Sequence, residues 1–348
     1  MNLKKIITFL TVSLLVLPSC IIRTTNDQAL PYEMAERESS FKKEYKITKP
    51  ASLDIFTSGG NIEVSGTENE IIEVAFVVSR RGRVYDMTLE QLSEIANVEI
   101  TNSDSGLSIS IKDITYRGLS VGFKIKTPYE TSANLNTSGG NIDVEDLIGK
   151  QSINTSGGNL NFNRLSGRIE ANTSGGNIKI SHSIAEFDAS TSGGNISLND
   201  IKGKVDVSTS GGNIEANGLE PELKAHTSGG NIHISDVKGS TTVGTSGGSI
   251  SLVQLSGSAS AHTSGGSINA SMIELSGNLV LETSGGGIDA SIPSGMGLDL
   301  DLSGDHINTK LENFSGTAKK QRINGQINGG GKLIRLSTSG GSVNLNYN

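Results

Sequence analysis

Sulfur, aromatic rings and positive charge are scarce in this sequence, and each shortage excludes something. Cys20 is the only cysteine, so no internal disulfide braces the fold, and rigidity must come from backbone pairing and packing. Tryptophan is absent and aromatics make up 4% of the chain, too few to supply ring platforms for sugars along a repeat. Lysine and arginine total 29 against 36 aspartates and glutamates, a net charge of −7. No basic stripe is available for phosphates, which excludes nucleic acid as a partner. Beyond residue 20 no stretch approaches the run of about 18 apolar residues that a transmembrane helix needs.

Glycine, by contrast, is plentiful at 44 residues, without the G-X-Y period of collagen. It is concentrated in a repeat. Thr-Ser-Gly-Gly begins at Thr137, Thr155, Thr173, Thr191, Thr209, Thr227, Thr245 and Thr263, each 18 residues after the last, and again at Thr283 after 20. Isolated copies begin at Thr57 and Thr338. A short period of this strictness is the signature of a solenoid.

With each unit numbered from its threonine, apolar residues fall at positions 6, 8, 11, 15 and 17. In the unit from Thr191 these are Ile196, Leu198, Ile201, Val205 and Val207, with Gly203 at position 13. The alternation predicts two short strands per unit, one turn at Ser-Gly-Gly and another near position 13. Position 5 is Asn141, Asn159, Asn177, Asn195, Asn213 and Asn231, then Ser249, Ser267 and Gly287. Such a column favours in-register parallel stacking, because stacked amides hydrogen-bond along the axis; an antiparallel meander has no use for it. The glycine pair is expected where a turn repeated about every 4.8 Å leaves little room for Cβ atoms and one position needs positive φ. The expected fold is all-β: an elongated parallel β-solenoid (β-helix) with 18-residue coils and one inserted helix near the N-terminal end.

The flanks are less regular. Lys4 and Lys5 precede an apolar stretch over residues 6–17, the pattern of a signal peptide. It ends in Leu17-Pro18-Ser19-Cys20, which resembles the bacterial lipobox, in which the cysteine is acylated. Ile21 follows, and the resemblance then implies sorting to the outer membrane. The expected organisation is a lipoprotein signal peptide over 1–19, a tether over 20–45, an irregular β region over 46–136 with a helix at 86–97, regular repeats over 137–286, and irregular closing coils over 287–348. Asp86 or Thr88 is expected to cap the helix. Thr57 precedes Thr137 by 80 residues, four periods plus eight, which suggests about four degenerate coils. Thr338 follows Thr283 by 55 residues, three periods plus one, which suggests about three closing coils.

The TSGGNI repeats, the lipobox, the helix-bearing segment ending near Thr127-Pro128 and the closing TSGGSVNL resemble the bacterial putative-adhesin family of envelope proteins. The resemblance covers nearly all of the chain beyond the signal peptide. It implies β-strand repeats and an envelope setting, and it carries no catalytic residues onto this chain.

Other chemistry is sparse. His182, His226, His233, His262 and His306 lack metal-ligand spacing. Asp146, Asp200 and Asp236 share position 10 without the calcium nonapeptide pattern. No GxSxG elbow leads from a strand into a helix. No enzyme, cofactor or metal is therefore expected. The expected function is a lipid-anchored cell-envelope protein, an outer-membrane lipoprotein with a non-catalytic binding or scaffolding role, adhesin-like. Its partners are the membrane, through the lipid on Cys20, and an extracellular glycan or protein. Glycans would be met by the Asn, Thr and Ser ladders. The alternatives are a periplasm-facing structural or envelope-stress component and, behind it, a polysaccharide-active β-helix enzyme. Surface and periplasmic orientation are both open at this point.

Overall fold

A computed structural model describes residues 39–348. The chain divides into two units, Met1–Pro31 and Tyr32–Asn348, and all described residues belong to the second. The signal peptide over 1–19 and Cys20 lie outside the described residues.

One coil explains the rest. In the unit from Thr191, strand Ile196–Thr209 alternates inward and outward side chains. Ile196, Leu198, Ile201, Val205 and Val207 are all at most 2% exposed. The backbone turns at Ser-Gly-Gly, again at Asp200 with φ 52°, and again at Gly203 with φ 146°. The bend at position 10 recurs with positive φ at Asp146, Arg164, His182, Asp236 and Gln254. That left-handed conformation is one that aspartate tolerates better than most residues, so the backbone accounts for the acids there without a cation. Gly203 is required twice over, since a Cβ would also lie 2.1 Å from the Ala185 carbonyl oxygen.

Successive coils pair parallel and in register: Ile196 against Ile214, Val207 against Ala225, Thr209 against Thr227. The fold is thus a parallel β-solenoid. Register overrides hydrophobicity where the two conflict. In the unit from Thr173, position 11 is Ser183, which is 1% exposed while the adjacent Ile184 is 67% exposed. The Ser183 hydroxyl accepts from the Leu165 N–H at 3.1 Å and donates to the Ser181 carbonyl at 2.8 Å, so burying the serine leaves no orphaned polar group. Two extra residues before Thr283 are absorbed by register shifts between strands Ile250–Thr263 and Ile268–Thr283.

Both ends depart from chain order. Strands Ala51–Thr57 and Ile62–Thr67 do not begin a run of four degenerate coils. They stack directly on the first regular coil, with Thr57 against Thr137 and Ile62 against Ile142. Strands Gly106–Lys112 and Leu119–Pro128 form a further layer outside them. At the other end, Thr338 pairs directly with Thr283 and Val343 with Ile288. The earlier strands Leu298–Ser303 and His306–Thr309 form the outermost parallel layer. The 80- and 55-residue intervals are therefore excursions out and back, not chains of sequential coils.

Antiparallel strands close each end. Asn97–Asn102 pairs with Gly106–Lys112, and Ile71–Arg80 with Leu119–Pro128. Arg322–Ile327 pairs with Leu298–Ser303 and then with Phe314–Lys319. A parallel stack must end in an edge, and this arrangement covers it with a strand of opposite direction. The last residues of the expected 20–45 tether belong to the N-terminal closure: Phe41–Lys46 is a strand antiparallel to Ile71–Arg80. Phe41 stacks on Phe76 at 4.4 Å, and Phe76 meets Phe123 edge-on at 5.3 Å.

The helix is Leu89–Ile95, shorter than residues 86–97. Thr88 caps it. Its hydroxyl accepts from the Gln91 N–H at 3.3 Å while the Gln91 side chain accepts from the Thr88 N–H at 2.8 Å. This reciprocal box starts the helix at Leu89, and Ala96 at φ −147° stops it.

Candidate binding site

The repeat offers two ladders, and only one faces solvent. Every repeat threonine from Thr57 to Thr338 is buried, between 0 and 7% exposed. The Thr191 hydroxyl accepts from the N–H of Gly194 in its own turn at 3.3 Å and donates to the Gly176 carbonyl of the neighbouring coil at 2.8 Å. The same donation runs from Thr137 to Gly60 at 3.0 Å and from Thr338 to Gly286 at 2.7 Å, across both excursions. The threonine column is thus an internal seam, and the expected glycan contact through it is corrected: no ligand reaches these hydroxyls.

The asparagine column lies on the surface. Its bonds run from side-chain oxygen to backbone rather than from amide to amide. Oδ1 of Asn141 accepts from the Asn159 N–H at 2.8 Å, and Asn159 from Asn177 likewise at 2.8 Å. Asn177 accepts from Asn195 at 2.7 Å, Asn195 from Asn213 at 2.8 Å, and Asn213 from Asn231 at 2.8 Å. Asn231 serves Ser249 at 2.8 Å, and Asn61 serves Asn141 at 3.0 Å. Each oxygen satisfies a turn N–H that no strand pairs.

Among the described residues no group of three His, Cys, Asp or Glu is placed to hold a metal ion, and no helix is long and apolar enough to cross a membrane. A cleft of about 1080 Å³ lies over the outer face near the N-terminal closure. It carries alternating charges: Lys124 sits 3.7 Å from Glu63, and Arg164 bonds Asp146 at 2.7 Å and Glu145 at 3.1 Å. The Arg164 hydrogen bond holds the Asp146 carboxyl below its ordinary range. Ion pairs of alternating sign give this cleft no net field to select a charged ligand.

The second cavity, of about 860 Å³, lies at the C-terminal closure and falls within the roughly 300–1,000 Å³ of small-molecule sites. It arises from the out-of-order threading. Pairing between His306–Thr309 and Ser342–Tyr347 ends at Thr309 against Leu345, so Asn346 and Tyr347 extend beyond their neighbour. Half-buried Pro293 and Met296 give it some apolar surface, while the side chains of Leu298, Ile327 and Leu345 are buried in the core beneath it. Amides, hydroxyls and three charged residues, Asp289, Lys310 and Glu312, line much of the rest. Asn308 Nδ2 donates to Asn344 Oδ1 at 2.8 Å, Asn344 Nδ2 to Asp289 Oδ1 at 2.5 Å, and Asn313 Nδ2 to Asn328 Oδ1 at 2.9 Å. The Tyr347 hydroxyl lies 3.5 Å from Thr309 Oγ1, and burial pushes its phenol up. Amides and hydroxyls both donate and accept, so they suit hydrogen bonding to a ligand. This region breaks the period and so carries no repeat signal; what marks it in the sequence is the asparagines crowded into the last turns, Asn308, Asn313, Asn328, Asn344 and Asn346.

The repeat also connects the chain to known proteins. Residues 181–346 match the Toastrack DUF4097 family model. The matched segment takes in the later regular coils and the C-terminal closure, just under half of the chain. No curated protein matches the sequence. Among solved structures, a putative adhesin from Bacteroides fragilis NCTC 9343 is 16% identical over 72% of this chain and 95% of its own, with a TM-score of 0.30. One from Parabacteroides distasonis ATCC 8503 is 14% identical over 88% and 96%, with a TM-score of 0.23. A putative cell adhesion protein from Clostridium sporogenes ATCC 15579 is 10% identical over 88% and 100%, with a TM-score of 0.17.

Proposed function

We propose that this protein is a lipid-anchored component of the bacterial cell envelope that binds a partner at the C-terminal closure of its solenoid, in an adhesin-like role, without transforming it chemically. The observation that carries the binding role is the cavity itself, of about 860 Å³, with amides, hydroxyls and charged residues gathered among its lining beside Pro293 and Met296. The anchor is Cys20 in its lipobox-like context. More than one acyl chain there would hold the protein stably to a membrane, each buried CH2 contributing about 0.8 kcal/mol.

The test is accessibility on cells. An epitope is inserted at the Arg81–Gly82 turn, which is exposed. The C-terminus is unsuitable, because the Asn348 N–H bonds the Ile292 carbonyl at 2.9 Å at the cavity's edge. Antibody signal on intact cells, lost to the medium or the soluble fraction in Cys20→Ser, is expected. Signal only after permeabilisation would remove the adhesive role and favour a structural component facing the periplasm. Unchanged membrane association in Cys20→Ser would remove the lipid anchor.

A further inference from the structure

We propose that one outward face of the regular repeats, built from positions 12, 14 and 16 of each unit, is a contact between two copies of this chain. The copies pack face to face with their stacks running in opposite directions, about a two-fold axis parallel to the strands.

Charge fixes the arrangement. Side chains at positions 12, 14 and 16 point outward and alternate with buried ones. In the coil from Thr191 they are Lys202, Lys204 and Asp206. In the next coil Glu220, Glu222 and Lys224 stand in register beside them. The two triplets are opposite in sign at every position. A two-fold axis that lies along the strands, between these coils, reverses the order of coils and sets each position against itself. Lys202 then meets Glu220 of the second copy, Lys204 meets Glu222, and Asp206 meets Lys224, and the symmetry repeats all three. An axis along the stack would instead set Lys204 against Lys204 and Glu222 against Glu222. Like charges so placed cost several kcal/mol, by a general estimate of about that order.

Side-chain length agrees with the same axis. On one side of it the coils from Thr155 and Thr173 carry Arg168, Glu170, Glu186 and Asp188 at positions 14 and 16. On the other side the coils from Thr227 and Thr245 carry Ser240, Thr242, Ser258 and Ser260. The axis places Glu186 against Ser240, Asp188 against Thr242, Arg168 against Ser258 and Glu170 against Ser260. Long side chains face short ones, and charges face hydroxyls that can bond them.

The exposed apolar residues fall into place as well. Ile148, Ile184 and Ile273 are 53, 67 and 59% exposed. Ile148 and Ile184 hold position 12 in the coils from Thr137 and Thr173. Ile273 stands at the register shift beside Glu274, which pairs with Ser256. The axis exchanges the first and last of the eight evenly spaced coils, so Ile148 meets Ile273 of the second copy at both ends of the contact. Ile184 meets Lys238, whose aliphatic stem can cover it. Eight coils span about 38 Å, and the strip is about 20 Å wide. Two copies therefore bury about 1,500 Å², the size of a standard specific interface.

The experiment is sedimentation of the full chain in density-matched detergent micelles. The parent is expected at twice the mass of one chain. Two variants reverse the charges: Lys202→Glu with Lys204→Glu, and Glu220→Lys with Glu222→Lys. Each sets like charges across the axis and should weaken self-association by about tenfold or more. Mixed together, they set opposite charges at every one of those contacts and should recover the dimer. Thermal melts establish that the variants are folded. If either is not, Asp188→Cys with Thr242→Cys decides. These positions lie three coils apart in one chain and face each other across the axis. A bis-maleimide spanning the sheet-to-sheet distance of about 10 Å should join two chains of the double variant and none of either single variant. A parent of one chain's mass at every concentration would overturn the assignment, as would reversed variants that dimerise like the parent or a mixture that stays monomeric.

Discussion

The hydroxyl of Thr191 donates to the carbonyl of Gly176 at 2.8 Å while it accepts from the N–H of Gly194 at 3.3 Å. One buried side chain thus closes its own turn and clamps the turn of the adjacent coil. Thr191→Val keeps the shape and removes both bonds, leaving a buried carbonyl and a buried N–H without partners. A loss of about 1–3 kcal/mol is expected, read by denaturant unfolding. Thr191→Ser should lose clearly less. If valine and serine variants unfold together, the hydroxyl seam contributes nothing.

The two glycines of the turn are not equivalent. A Cβ on Gly194 would lie 2.0 Å from the Gly176 carbonyl oxygen, whereas one on Gly193 would come no nearer than 3.6 Å to any backbone atom. Neither has the positive φ expected of the pair. Gly194→Ala should destabilise by about 1–3 kcal/mol through forced separation of the coils. Gly193→Ala should stay within about 0.5 kcal/mol of the parent. Equal melting temperatures for the two variants would refute the close-approach account.

Asn195 acts through its oxygen alone, accepting from the Asn213 N–H at 2.8 Å. Asn195→Ala should therefore cost about 1 kcal/mol or less, since water can reach the freed N–H. Asn195→Asp retains the acceptor and should be close to neutral at pH 7. A larger loss in the aspartate than in the alanine variant would mean that the amide nitrogen matters.

Arg164 holds the Asp146 carboxyl below its ordinary range, chiefly by direct hydrogen bonding. A carboxyl depressed in the folded state stabilises that state above its unfolded pKa, about 3.9, and the contribution disappears as pH falls through the lower folded value. Melting temperature should therefore fall more steeply below about pH 4 in the parent than in Arg164→Met. The difference should be small and shrink with added salt, because both side chains are partly exposed. Parallel pH profiles would show that the pair is inert.

Much of a single coil was legible in the sequence. Alternation with a period of two is a local property, so Ile196, Leu198, Val205 and Val207 declare their inward face without reference to any other coil. Ser183 and Ile184 show where that reading is weakest. Their hydrophobicity argues for the opposite orientation, and the register of both neighbouring coils decides it.

The sequence by itself determined the repeat, the parallel stacking, the buried columns and the turns at Ser-Gly-Gly and position 13, because each follows from spacing within one unit or from its recurrence between units. Only the tertiary structure decided the order of layers at the two ends, the burial of the threonine hydroxyls, and the cavity beside Tyr347. Thr57 meets Thr137, and Thr283 meets Thr338, because identical turns dock on one another wherever the chain brings them. The intervals of 80 and 55 positions add little closure cost, which grows only with the logarithm of loop length. Spacing records distance along the chain, and what docks depends on the surface that a finished coil presents.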